Sequence, residues 1–304
     1  MTGPGHDLSL VLPDGRVLEY WDGGDPTGRA ILLHPGTPET RVMGRWGHDA
    51  AVAAGVRLIS MSRPGYGGST TTADASLAGT GRDTAAVAAD LGLDEYAVVG
   101  LSGGGPFAVA TAIADPGHVR ALGVVGGIGP WRIIDPSRDP DGTRCLTRLD
   151  AGDVAGAWDC MRLDVGREYS SYRELDDAAR AERVLARIGD GSRLVEDERY
   201  RSIWADNMRV FLANFDGMAF DNLAWGATWD VDPGDVAAPT LLWYGESDQA
   251  CPPTHGRWYA ERIPNVELVV LPGERHLDAI DGHWPDVLTG LMAIWAGDGA
   301  SRHG

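Results

Sequence analysis

The sequence predicts an α/β protein: a mostly parallel central sheet flanked by helices, with one helical insertion. Three observations carry this expectation. Short apolar runs alternate with helix-like patterns along most of the chain, as strands and covering helices do in a parallel sheet. The alternation lapses between about residues 131 and 236 and then resumes. The length, 304 residues, suits one large domain able to bury most of the surface its unfolded form exposes.

Taken in order, residues 8–12 and 17–21 read as two strands joined at Pro13-Asp14-Gly15, a hairpin turn signal. Residues 30–33, 57–60, 96–99 and 121–125 read as buried strands, and 240–244 and 266–271 continue the series. Helices are expected at 45–54, 78–91, 103–114, 254–262 and 285–296. Pro285 suits a first helical turn, where its missing N–H would have no intrahelical partner. The stretch 131–236 has helical patterns at 176–188 and 197–215 and five of the eleven tryptophans: Trp131, Trp158, Trp204, Trp225 and Trp229. It is expected to form a cap over the sheet's carboxyl edge. Residues 1–130 and 237–304 then form the core, with 297–304 frayed.

A net charge of −18 favours solubility and argues against nucleic acid, whose phosphates need a basic footprint. Cys145, Cys160 and Cys251 are too few and scattered for a disulfide framework, so buried free thiols in a reducing compartment are expected. No Cys/His cluster suggests a metal, and no cofactor is implied. The first residues lack the pattern of a signal peptide, and no apolar run is long enough to span a bilayer. The expectation is a cytoplasmic enzyme acting on a small molecule away from membranes, its oligomeric state open.

The chemistry centres on Gly100-Leu101-Ser102-Gly103-Gly104, which follows a strand-like run directly and leads into a helix-like one. Such a strand–turn–helix elbow needs small residues on both sides and lifts the serine above the sheet, beside a helix N-terminus. A serine hydroxyl needs a base to take its proton. His276 lies in the loop after strand 266–271, where such a base is expected, and His283 is the alternative. Asp248 follows strand 240–244 and is expected to orient the histidine, with Glu246 as competitor. The developing oxyanion needs preorganised donors. One would be the Gly103 N–H. In the loop after strand 30–33, Pro35 and Pro38 have no N–H, leaving Gly36 and Thr37, of which Thr37 is favoured.

With these residues the chain resembles the α/β-hydrolase family over nearly its whole length. The resemblance rests on Gly36-Thr37-Pro38, Ser62-Arg63-Pro64-Gly65-Tyr66-Gly67-Gly68-Ser69, the serine elbow, Gly245-Glu246-Ser247-Asp248 and Gly273-Glu274-Arg275-His276. It implies the α/β-hydrolase fold with an inserted helical cap and a Ser102–His276–Asp248 triad. Serine at 102 argues against the epoxide hydrolases and haloalkane dehalogenases of this fold, which use aspartate. Proline iminopeptidases usually carry tryptophan where this chain has Gly103. The expected reaction is cleavage of a carboxylic ester, lactone or thioester through an acyl-Ser102 intermediate. Amide or C–C cleavage, acyl transfer by the same triad, and a non-catalytic ligand-binding role are the alternatives.

Overall fold

The computed structural model describes residues 5–136, 140–189 and 191–297. The expected fraying of 297–304 therefore falls, from residue 298 on, outside the described residues. The sheet consists of β1 (His6–Val11), β2 (Val17–Gly24), β3 (Arg29–His34), β4 (Val56–Met61), β5 (Tyr96–Leu101), β6 (Val119–Val125), β7 (Thr240–Gly245) and β8 (Val266–Leu271). Their order is β1-β2-β4-β3-β5-β6-β7-β8, antiparallel at β1–β2 and β2–β4 and parallel elsewhere.

Strands covered on both faces need apolar residues at consecutive positions, and neighbouring side chains then serve opposite layers. Ile31 and Leu33 join one core cluster with Ala51 of α1 (Gly44–Ala54). Ala30 and Leu32 join the other, with Val87 of α2 (Leu77–Asp90) and Val109 of α3 (Gly105–Ala114).

Between β6 and β7 the chain forms α4 (Trp131–Ile134), α5 (Pro140–Asp150), α6 (Val154–Tyr169), α7 (Asp177–Ile188), α8 (Glu198–Phe211) and α9 (Asp216–Gly226). After β7 come α10 (Pro253–Ala260), α11 (His276–Asp281) and α12 (Trp284–Trp295). The first core cluster runs on into the insertion through Trp158, Met161, Phe211 and Phe220. No helix among the described residues is long and apolar enough to cross a membrane.

Several expectations need correction. The helix read over 197–215 is two helices, α8 and α9, broken between Phe211 and Asp216. The residue after the elbow serine lies in a 3-10 turn, Ser102–Gly104, before α3 begins. Cys145 and Cys160 are not free thiols: they form a disulfide joining α5 to α6, and of the three only Cys251 lies outside a disulfide, buried. The chain's scattered cysteines concealed that two helices pack side by side and bring residues fifteen apart into bonding distance. The thiol-based reason for a reducing compartment therefore fails for this pair.

Strand order places the site. From β3 the chain passes to β4 on one side and later to β5 on the other, so the sheet reverses direction of growth between β3 and β5. A crevice forms outside the carboxyl ends at such a switch point. The loops leaving β3 and β5 carry Thr37 and Ser102 there, with His34 in register with Gly100.

Candidate active site

Ser102 has φ 48°, the one positive φ at a non-glycine position among the described residues. That strained turn swings the hydroxyl off the strand line. It requires close backbone packing: a Cβ on Gly104 would stand 2.1 Å from the His34 carbonyl oxygen, and one on Gly100 2.5 Å from that of Gly104. A larger residue at 104 would push the elbow away from the β3 loop, and one at 100 would push β5 off the turn that follows it.

His276 opens α11, rather than lying in an open loop, and is buried. Its Nε2 lies 2.9 Å from Ser102 Oγ and its Nδ1 2.7 Å from Asp248 Oδ2. A carboxylate has no proton to give, so Nδ1–H donates to Asp248, leaving Nε2 to accept from the serine. Asp248 is itself held by two backbone donors, Ala250 N–H at 2.8 Å and Cys251 N–H at 2.7 Å, both to Oδ1.

The alternatives go elsewhere. Glu246 accepts the Gly273 N–H. His283 stands between Glu274, at 3.4 Å, and Asp286, at 3.3 Å. His34 Nε2 is buried against the Thr111 hydroxyl at 3.0 Å, and His48 Nδ1 accepts the Gly24 N–H.

Thr37 and Gly103 are adjacent: a Cβ built on Gly103 would meet Thr37 Oγ1 at 2.3 Å and Thr37 N at 3.4 Å. The Gly36 N–H is already given to Glu39 Oε2 at 2.5 Å. Of the two donors that proline leaves in this loop, only that of Thr37 remains uncommitted by that contact.

Sequence reasoning missed the groups behind the loop. Arg63 Nη1 donates to the Pro35 carbonyl at 2.5 Å, and Nη2 to the Gly36 carbonyl at 2.8 Å. The same guanidinium makes a two-pronged, fully buried ion pair with Asp221 of α9, at 2.8 and 2.5 Å. Asp221 Oδ2 also accepts from Thr37 Oγ1 at 2.6 Å and Tyr66 OH at 2.8 Å. One carboxylate of the insertion thus ties down the Thr37 loop. Arg63 and Tyr66 stand in a motif read only for its resemblance; Asp221 had no signal, because its partners lie 155 to 184 residues away.

Ser102, His276, Thr37 and Gly103 open into a cavity of about 620 Å³. Its far wall comes from the insertion and includes Arg187, Ile188, Trp204, Met218, Asn222 and Trp225. Of the five tryptophans of the insertion, Trp204 and Trp225 line this cavity and Trp131 does not. A larger groove of about 1180 Å³, between α2, α3 and the two ends of the insertion, contains none of the predicted site residues. Size alone is a poor guide here, since that groove lacks a nucleophile beside a base.

Residues 29–283 match the family described as alpha/beta hydrolase fold. Among curated proteins, the chain is 25% identical over 296 residues to a 2-hydroxy-6-oxononadienedioate/2-hydroxy-6-oxononatrienedioate hydrolase of Cupriavidus pinatubonensis, covering 93% of this chain and 91% of that one. It is 27% identical over 268 residues to a 2-hydroxy-6-oxo-6-phenylhexa-2,4-dienoate hydrolase of Burkholderia cepacia, covering 84% and 80%. A solved esterase of Exiguobacterium antarcticum superposes with a TM-score of 0.68 at 18% identity, covering 95% of this chain and 99% of that one. The sheet order, the family match over most of the chain and these relatives agree: this chain belongs to the α/β-hydrolase fold family.

Proposed function

We propose that the protein is a serine hydrolase that cleaves a carboxylic ester, lactone or thioester through an acyl-Ser102 intermediate. The observation that carries this reading is the unbroken hydrogen-bonded line Ser102–His276–Asp248 at 2.9 and 2.7 Å, opening into the cavity between sheet and insertion. Ser102 Oγ attacks the substrate carbonyl while His276 Nε2 takes its proton. The Thr37 and Gly103 N–H groups receive the oxyanion. Asp248 keeps Nδ1 protonated and stabilises the imidazolium. His276 then returns the proton to the leaving group, and water activated by the same imidazole releases the acid.

Helices α4–α9 act as a cap: they bring Trp204, Trp225 and Arg187 to the cavity and set which acyl and leaving groups fit. Two curated relatives are named as hydrolases of 2-hydroxy-6-oxo dienoates, which favours C–C cleavage by the same residues as the second reading. Turnover of aryl and alkyl esters, set beside a 2-hydroxy-6-oxo dienoate, decides between the two. Turnover of the dienoate with none of the esters would replace the first reading with the second. Product analysis with added alcohol separates hydrolysis from acyl transfer. Retained turnover in a purified Ser102→Ala variant would sink both.

A further inference from the structure

The loop that presents Thr37 closes on a carboxyl group of its own. Gly36 N–H donates to Glu39 Oε2, and Glu39, 4% exposed, lines the cavity together with Thr37, Ser102 and Gly103. The charged and titratable groups facing Glu39 come from three elements. From the loop after β4 comes Arg63, whose guanidinium is committed to Asp221 and to the Pro35 and Gly36 carbonyls. From α11 comes Asp281, itself 5% exposed, with His276 at the other end of that helix. From α8 comes Tyr200, whose hydroxyl donates to Asp281 Oδ2 at 2.6 Å. Two carboxyl groups in so dry a site resist ionising together, because each charge costs solvation and repels the other.

We propose that Glu39 is a positioning residue for the oxyanion loop and works in its neutral, proton-bearing form; this rests on the serine-hydrolase reading above. In that form Oε2 is a carbonyl oxygen that accepts the Gly36 N–H, and Oε1 holds the proton. The loop is braced with no negative charge next to the place where the oxyanion forms. Loss of the proton puts a fixed negative charge beside a developing one and weakens the electrostatic stabilisation of the transition state. Burial first, and Asp281 second, hold the Glu39 carboxyl well above the usual carboxylate range. Burial likewise raises Asp281, against the opposing hydrogen bond of Tyr200.

The test is kcat/KM for an aryl ester against pH, on the full-length protein and on Glu39→Gln and Asp281→Asn. Glutamine keeps a carbonyl oxygen for Gly36 and has no proton to lose. Wild type is expected to decline on the alkaline side. Glu39→Gln should stay within about 10-fold of wild type at the optimum, since the brace survives, and should hold its plateau through that decline. Asp281→Asn should move the decline to lower pH by roughly one unit, because the neighbouring charge that opposed Glu39 ionisation is gone. An alkaline decline in Glu39→Gln matching that of wild type overturns the proposal. So does an unshifted decline in Asp281→Asn, which decides the matter alone if Glu39→Gln fails to fold. Phosphonate labelling of Ser102 in each variant separates this outcome from failure of the serine-hydrolase reading, which would abolish labelling in wild type as well.

Discussion

The two halves that meet at the cavity are held together by different forces. On the sheet side, Ile31, Leu32, Leu33, Val98 and Val99 are completely buried, and every catalytic candidate follows a strand of that ladder in the chain. The inserted helices share the sheet's first core cluster, and much of their outer bonding is between ions at or near the surface, such as Arg144 with Asp164, Arg148 with Asp153 and Arg209 with Asp177. Surface pairs of this kind contribute little, roughly 0–1 kcal/mol each. The joint between the halves adds buried polar contacts to a continuous apolar core: Arg63 with Asp221, Thr40 with Asn207 at 2.8 Å, and Ser192 with Asp278 at 2.8 Å. On the proposed reading the difference divides the parts. Geometry that must hold to a fraction of an ångström would rest on the sheet, with one tie from Asp221, while the inserted wall would meet the variable part of a substrate.

The sharpest way to break this comparison is at the proposed nucleophile. Ser102→Ala and His276→Ala should each lower ester turnover on the order of 10⁴-fold or more, and the double variant should be little worse, because the two act as one unit. Steady-state kinetics on all three measures this; additive losses would mean that the residues do not work together. The fold should be untouched, and circular dichroism checks that.

Next in size is the joint. Asp221→Ala leaves the Arg63 guanidinium buried without its partner, which should cost about 3–5 kcal/mol in denaturant unfolding. The same change frees Thr37 and should lower kcat as well. A loss under about 1 kcal/mol would place the joint among the weak surface pairs and remove the contrast between the two halves.

The disulfide probes the insertion alone. Replacing both Cys145 and Cys160 by serine should cost about 3 kcal/mol, since a cross-link of this span restricts the unfolded chain. Phosphonate labelling of Ser102 should persist. Labelling lost along with the disulfide would show that the insertion, not only the sheet, holds the nucleophile in place.

The smallest expected effect concerns selectivity. Trp225→Ala and Trp204→Phe reshape the wall without touching the serine, and each should change the preference between short and long acyl esters by about 10-fold. A panel from acetate to long-chain esters measures it. Unchanged preference in both variants would mean that the pocket is built by the sheet side, and the division of labour proposed here would fall.

Strands with consecutive apolar residues were legible because burial on both faces leaves no other pattern: β8 is found at the expected residues 266–271, and β3, β5 and β7 within two residues of expectation. That Ser102, Asp248 and His276 would come together was legible for a related reason. Each follows a strand in the chain, and strand-end loops of a parallel sheet converge on one edge. What the chain order could not carry is contact between residues far apart in sequence. Glu39 looked like one more loop acid until Asp281 was brought to face it. Asp221 looked like one more helical carboxylate until Arg63 and Thr37 closed on it. Cys145 and Cys160 looked like isolated thiols until α5 packed on α6. Local pattern is determined by periodicity and backbone chemistry, which lie within a few residues; the partner of a buried charge, the wall of a cavity and the pairing of two sulfurs depend on packing between elements, and only the tertiary structure decides them.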